Sequence, residues 1–569
     1  MEITTIGSDK ELILRLYFSP ENLRLAWERM IRSNGRDVKD FFGIEMYAAN
    51  LHANLERLSE FITSGQFQPR RPFKYYEPKA SKTHRTKSIL YIEDALVYQA
   101  IADTIATKLY ARLTENNEFV FGSVLHPEVE EGIEVLKKED ADFYFFKYYI
   151  PLYNKFLNSV NHEIENTEIK FKLETDITGF FDGIPHSKLL VTLGKLGVEP
   201  AILDMLSKCL NLYSGTRESI TPGVGIPQGP AASFFFANVF LSDLDFAISQ
   251  QGYTYYRYMD DVRIYEEKED KLSDALVLID NFLKGKALSL NTKKTSIEEI
   301  GSDRQSEMVP LLNASGFESG DYIPGLFDDK QPSITILEDV SATDQENKYL
   351  VKTLTEDELI SFCKKEIQEV TDYLLEAFRN IDADSFNYRD ITKDEKINKH
   401  IIHYAYRWRN ANSILKNCDA PILNNRLIKI WLFCVEHFFW KANHFCWNLN
   451  MYGRNTEISE RLFEIVQKFG SYEWVRYQVL SNLATAQSFS NQQLRDIFRN
   501  TKDEKSPLVR LGNYLILMRH LNPGNQLYAA LKQCIKDDKE PYIKSYLASF
   551  LSRNVGNNNI DVLKFWFGI

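Results

Sequence analysis

Three aspartates set the first constraint on what this chain could do. Asp260 and Asp261 are adjacent in "YMDD", Tyr258 to Asp261, and Asp176 closes the segment "IKFKLETD" 84 residues upstream. Crowded carboxylates repel one another unless a cation joins them, so such a set suits hard divalent ions. Two ions about 3.5–4 Å apart can activate an attacking hydroxyl and hold a triphosphate, which is phosphoryl-transfer chemistry. An acidic pair at a turn also reads, by itself, as a plain solvated turn. The chemistry requires that rigid strands hold the acids close together.

The surrounding sequence supplies such strands. "YTYYRYMDDVRIYEE" predicts a β-hairpin with its acidic pair at the turn, and "IKFKLETDITGFFDGI" a strand that turns at Thr178-Gly179. An antiparallel sheet would bring the two strand ends together. "HSKLLVTLGKLG", "AILDMLSKCLNLY" and "KLSDALVLIDNFLKGKAL" read as helices, "SITPGVGIPQGPAASFFFANVFLSDLDFAI" as a Gly/Pro loop feeding a helix, and "LSLNTKKTSIEEI" as a last strand. Residues 9–65 read as helical, 115–170 as less regular, and 301–345 as loop-like, with helices from there to the end. Within the last part, Val475, Val509 and Ile543 align at steps of 34 residues, with Arg476, Arg510 and Lys544 in the same register. A fixed period on a helical pattern predicts stacked helix pairs, a surface for binding or assembly.

Composition narrows the partners. The chain has 569 residues, 44% hydrophobic and 26% charged, enough for two or three domains of ordinary globular character. A net charge of -11 excludes a protein that coats nucleic acid by bulk positive charge, so contact needs a local patch. Residues 66–90 offer one: Arg70, Arg71, Lys74, Lys79, Lys82, Arg85 and Lys87 against Glu77, interleaved with Phe67, Phe73, Tyr75 and Tyr76 that could stack on bases. A solvated basic loop is the plainer alternative. No membrane helix or signal peptide is expected, and six scattered cysteines fit a reducing cytoplasm. Cys434, His437, His444 and Cys446 could suggest zinc, yet "WLFCVEHFFWKANHFCW" reads better as a buried helix.

In order along the chain, "EPKASKTHRTKSILYIEDALVYQAI", "DITGFFDGIPHSKL", "GIPQGPAAS", "RYMDDVRIY" and "LSLNTKKT" resemble the fingers motif and the four palm motifs of reverse transcriptases. The resemblance covers roughly residues 60–300. It implies an α/β (α+β) right-hand polymerase core of fingers and palm, followed here by an all-α, HEAT-like helical-repeat domain. The expected domains are 1–170 (helical N-terminus and fingers), 171–300 (palm), 301–345 (connection) and 346–569 (helical repeats in place of a thumb).

The resemblance also implies roles. Asp176 and Asp260, with the Ile177 carbonyl, would hold two Mg²⁺ (or Mn²⁺) ions, and Asp261 would support them. Phe181 would exclude a 2′-hydroxyl and so select dNTPs, a core role being the plainer alternative. Lys79 and Arg85 would neutralise the triphosphate, the choice among Lys79, Lys82 and Arg85 staying open. Gln228 would contact the nucleotide, and Pro227, Gly229, Tyr258 and Met259 the template and primer. Lys294 would protonate pyrophosphate or be a solvated charge. His186 reads as a packing residue.

Two departures matter. Ser233 is followed by Phe234 where most of the family has proline, and neither a primer grip nor an RNase H, integrase or HNH pattern is recognisable. The combination resembles the abortive-infection and defense-associated bacterial reverse transcriptases. That group implies a cytoplasmic bacterial enzyme acting against phage, protein-primed or template-independent synthesis, homo-oligomers, and nucleic-acid partners that include a non-coding RNA. A retroelement or intron-type reverse transcriptase, and a scaffold with a relic palm, are the competing expectations.

Overall fold

The computed structural model describes residues 2–32, 44, 47–116, 118–147, 149–308, 335–338, 350–353, 355–379, 395–486, 489–521 and 525–555. They fall into two compact units. One holds residues 1–39, 44–74 and 88–314, and the other 40–43, 75–87 and 315–569.

The first unit begins with helices α1 (Glu2–Tyr17), α2 (Pro20–Arg32) and α3 (Leu51–Thr63). The expected helical stretch also covered residues 33–43 and 45–46, which lie outside the described residues. A hairpin, β1 (Phe73–Pro78) and β2 (His84–Ile89), leads into α4 (Ile92–Thr114). The hairpin's tip belongs to the second unit. After an irregular stretch come α5 (Tyr149–Glu165), β3 (Phe171–Asp176), α6 (His186–Lys195), α7 (Pro200–Tyr213) and α8 (Ala231–Ser249). The hairpin β4 (Thr254–Tyr258) and β5 (Asp261–Glu266) follows, then α9 (Glu269–Gly285) and β6 (Ser296–Glu299). The last strand is shorter than "LSLNTKKTSIEEI" suggested, because Asn291–Lys294 turn before it.

The four-stranded sheet has the order β4-β5-β3-β6, all pairs antiparallel. Alternation gives it two faces. Leu173, Tyr255, Val262 and Ile264 are buried on one. On the other, Tyr256, Tyr258 and Tyr265 meet Phe121, Phe156, Leu157, Val160 and Ile164. Among the described residues α8 alone is long and apolar enough to cross a membrane. Here it is a core helix, with Phe235, Phe236, Phe240, Leu241 and Leu244 buried and packing against α4, α6 and α9.

The second unit opens on a strand pair, β7 (Thr335–Glu338) with β8 (Leu350–Thr353), where the connection and the first helices were expected. Short β-branched runs such as "SITIL" and "YLVKT" favour strands over a helix start. The rest of the expected connection, 309–334 and 339–349, lies outside the described residues. Helices then follow in order: α10 (Glu356–Ala377), α11 (Glu395–Cys418), α12 (Arg426–His437), α13 (Ala442–Asn450), α14 (Thr456–Lys468), α15 (Glu473–Ala486), α16 (Asn491–Asp503), α17 (Pro507–His520), α18 (Gln526–Asp537) and α19 (Pro541–Val555). They pack as successive pairs, with α11, α13, α15, α17 and α19 side by side in one layer.

The 34-residue register is visible in this packing. Val475, Val509 and Ile543 are each fully buried, on α15, α17 and α19. Arg476 pairs with Glu504 at 2.7 Å and Arg510 with Asp538 at 2.8 Å, while Lys544 donates to the Lys536 carbonyl. Cys434 and Cys446 are buried on separate helices, and the His437 ring lies against Phe433.

Candidate active site

Strand register delivers the three acids to one end of the sheet. Asp176 stands opposite Asp261 across β3 and β5, and Tyr258 opposite Asp261 across β4 and β5. Met259 and Asp260 are therefore the two central residues of the hairpin turn. Met259 has a φ of 56°, a left-handed conformation that costs a non-glycine residue energy and must be held by its surroundings.

The holding groups lie behind the turn. Arg257 donates to the Met259 carbonyl at 2.8 Å and forms a two-pronged pair with Asp245 of α8, at 2.7 and 2.6 Å. Both side chains are almost wholly buried, at 1% and 3% exposure. Burial opposes the guanidinium charge, and Asp245 outweighs it. Tyr255 donates to Asp245, and Asn238 links Arg257 to the Gly122 carbonyl. Gly122 is needed for closeness: a Cβ there would come within 2.6 Å of the Met259 nitrogen.

In front of the turn the charges are less covered. Burial and the neighbouring Asp176 carboxylate push the Asp260 carboxyl up to about 6. Lys294 Nζ lies 2.9 Å from Asp176 Oδ2, and that hydrogen bond raises the lysine's pKa. Asn291 donates to the same carboxylate at 3.3 Å, and its backbone N–H to the Asp176 carbonyl at 2.8 Å. Ile177 is buried and bridges to Leu290, which fixes the loop carrying Lys294. Asp261 leans instead towards Arg263, at 3.5 Å, which also reaches Glu174 at 3.1 Å.

Among the described residues no group of three or more His, Cys, Asp or Glu side chains is gathered as a metal cage. The donor chemistry nevertheless fits a hard cation. Asp176 and Asp260 are oxygen donors pressed together, and the burial and repulsion that lift Asp260 are what a divalent ion would offset.

Five residues beyond Asp176 in sequence, Phe181 meets Phe234 edge-on at 5.1 Å, so the phenylalanine that replaces the usual proline packs on this ring. Gln228 Nε2 lies 3.5 Å from Asp182, and the Gln228 carbonyl accepts from Ser88 N–H. Pro227 is buried beside it. Gly229 has a φ of +139°, and a Cβ there would meet the Ser88 carbonyl at 2.7 Å, so only glycine fits. Tyr258 packs edge-on against Tyr153 at 5.0 Å, and Met259 is buried over Gly122. His186 is buried and hydrogen-bonded to Asn211 and the Gly225 carbonyl.

The basic, aromatic stretch is mostly structural. Lys74 is 3% exposed, its Nζ held by the Tyr213 and Gly215 carbonyls, and burial pushes its pKa down to about 8. Phe67, Phe73 and Tyr75 are buried and present no ring to bases. Arg70 pairs with Asp94, Arg71 binds the Thr216 and Arg217 carbonyls, and Lys87 pairs with Glu77. Lys82 and Arg85 are exposed and Lys79 half-exposed at the hairpin tip, in the second unit. There Glu473 accepts from Tyr76 N–H, Tyr472 donates to the Lys82 carbonyl, and the His84 ring lies 5.3 Å from that of Tyr472.

Sequence reasoning missed Arg257, Asp245, Asn238, Gly122 and Asn291. Arg257 was discoverable: strand alternation puts it on the covered face, and a buried arginine demands an acid. Which acid was not discoverable.

Residues 78–348 match the family described as reverse transcriptase (RNA-dependent DNA polymerase). The four-stranded sheet and the acids described above lie inside the matched residues. Similar proteins include the retron Ec86 reverse transcriptase of Escherichia coli, 26% identical over 27% of this chain and 46% of that protein. Protein YkfC of Escherichia coli strain K12 is 22% identical over 41% of this chain and 56% of its own length. The chain spans about half the length of these curated relatives. Telomerase from Candida albicans, solved with a fragment of telomeric RNA, aligns over 72% of this chain and 64% of its own, at 12% identity and a TM-score of 0.31.

Proposed function

We propose that the chain is an RNA-directed DNA polymerase that adds dNTPs to a 3′-hydroxyl. The observation that carries this reading is the β3–β5 register, which sets Asp176 opposite Asp261 with Asp260 at the adjoining turn. Asp176 and Asp260 would hold Mg²⁺, which when bound supplies Lewis-acid stabilisation of phosphate charge. Lys294, protonated beside Asp176, is the proton source for the departing pyrophosphate. Phe181, braced by Phe234, blocks a 2′-hydroxyl and so favours dNTPs. Lys79 and Arg85 neutralise the triphosphate, and Gln228 with Pro227 and Gly229 borders the nucleotide and template.

In finer terms, the reading is a bacterial, cytoplasmic enzyme of antiphage defense, working as a homo-oligomer with protein-primed or template-independent synthesis and a non-coding RNA as partner. The similarity to a retron reverse transcriptase supports a bacterial setting. The stacked helix pairs in the C-terminal part favour the defense group over a mobile element.

The test is a gel of purified protein with Mg²⁺ and labelled dNTPs, with and without an RNA template and primer, beside Asp260→Ala/Asp261→Ala. Incorporation should fall at least about a hundredfold in the variant, the scale of losing a group that stabilises transition-state charge. Label that stays on denatured protein without added template supports protein priming. Incorporation only with template and primer supports an ordinary reverse transcriptase. Equal signal in wild type and variant would reject the assigned acids.

A further inference from the structure

The helical unit carries a cluster that nucleotide addition does not use. On α11, Tyr406 and Arg409 lie one turn apart, and on α13 so do His444 and Trp447. The guanidinium of Arg409 sits 4.9 Å from the Tyr406 ring centre and 5.5 Å from that of Trp447. His444 meets Tyr406 edge-on at 5.9 Å. Trp447 is 50% exposed, whereas Trp408, Trp431 and Trp474 in the same unit are buried completely. Leaving half an indole in water gives up burial that the neighbouring tryptophans achieve.

Charge accompanies the rings. Arg409 and Lys416 lie two turns apart on α11, and α13 carries no acid. Arg407 is already committed to Glu366. The helix paired with α11, α10, holds seven acids against two lysines. In a chain of net charge -11 this basic stretch is local.

We propose that the α11–α13 face binds single-stranded nucleic acid, with bases stacking on Trp447 and Tyr406 and phosphate held at Arg409. Rings and a guanidinium in one stack suit unpaired bases on a charged backbone, because every base has a π-face to offer. A duplex keeps its bases stacked internally and leaves such rings unused. An acidic peptide would use the cations and leave the indole in water. The proposal goes beyond the polymerase reading and does not depend on it.

The test uses the full chain with Asp260→Ala/Asp261→Ala, so that synthesis plays no part. Twenty-residue oligonucleotides of deoxy or ribo type, carrying 5-bromouracil, are photo-crosslinked, and the adducts are mapped by mass spectrometry. Adducts on peptides containing Tyr406 or Trp447 are expected, and whichever sugar gives them identifies the strand. Trp447→Ala with Arg409→Gln should weaken binding by about tenfold, in line with loss of one stacked base, while Trp447→Phe retains most of it. Trp447 is exposed and Arg409 half-buried, and matched circular dichroism verifies the fold. Adducts confined to residues 78–348, unchanged affinity in the double variant, or equal competition by duplex or by polyglutamate would each overturn the proposal.

Discussion

Two sets of arginine–carboxylate pairs, one behind the hairpin turn and one along the helix pairs, use the same chemistry to different ends. Arg257–Asp245 occurs once, is sealed from water, and joins residues 12 apart in sequence but on different elements. Its further hydrogen bond, to the Met259 carbonyl, holds a strained backbone where the acids need it. Arg476–Glu504 and Arg510–Asp538 each join residues 28 apart, one repeat after the other, and keep their arginines partly exposed. The single pair fixes one conformation, and the repeated pairs stitch one helix pair to the next. A buried charge is therefore critical to the turn, while the array divides its load among similar contacts.

That contrast can be broken at its strongest point first. Asp245→Ala leaves Arg257 buried without its carboxylate, and stability should fall by about 3–5 kcal/mol, read from urea unfolding. Incorporation of dNTPs should fall further than the folded fraction accounts for, since the turn loses its brace. A loss below about 1 kcal/mol would mean that water or another acid replaces Asp245.

A smaller effect is expected in the array. Arg510→Ala removes a two-pronged pair from the buried Asp538, which keeps the Tyr514 hydroxyl as a donor, and should cost about 2 kcal/mol without changing dNTP incorporation. Arg476→Ala should behave alike, and a much larger loss at either site would contradict the shared load. Smallest of all is Lys294→Ala. Its pair with Asp176 is largely exposed on the lysine side, so the melting temperature should stay within about a degree. The same variant should slow incorporation several-fold, and unchanged rates would remove Lys294 from the chemistry.

The acids were legible because their chemistry dictates residue type: only carboxylates suit hard cations, and a turn flanked by alternating strands is readable locally. Lys294 was readable as a candidate but not as a neighbour of Asp176, since that proximity depends on the loop after α9. The stretch from Phe67 to Lys87 misled for the opposite reason. Aromatic and basic residues alternate in a buried hairpin as they do in an exposed binding loop, and Lys74 shows that a lysine can face inwards when carbonyls receive it. The helix pairs were legible through Val475, Val509 and Ile543. Glu504 and Asp538 stand 34 residues apart themselves. The ion-pair ladder was thus written in the sequence too, though in acids that look like ordinary surface residues.

The hairpin tip that carries Lys79, Lys82 and Arg85 is held by Glu473 and Tyr472, far along the chain. Glu473 also accepts a hydrogen bond from Ser506, so it is tied into the helix pairs as well. The stretch that matches the reverse transcriptase family, residues 78–348, thus includes a loop that belongs to the helical unit. A chimera that grafts residues 78–348 onto another C-terminal partner would carry three cations on a loop without its anchors. Cutting the chain between the matched residues and the helices would separate this loop from the side chains that hold it.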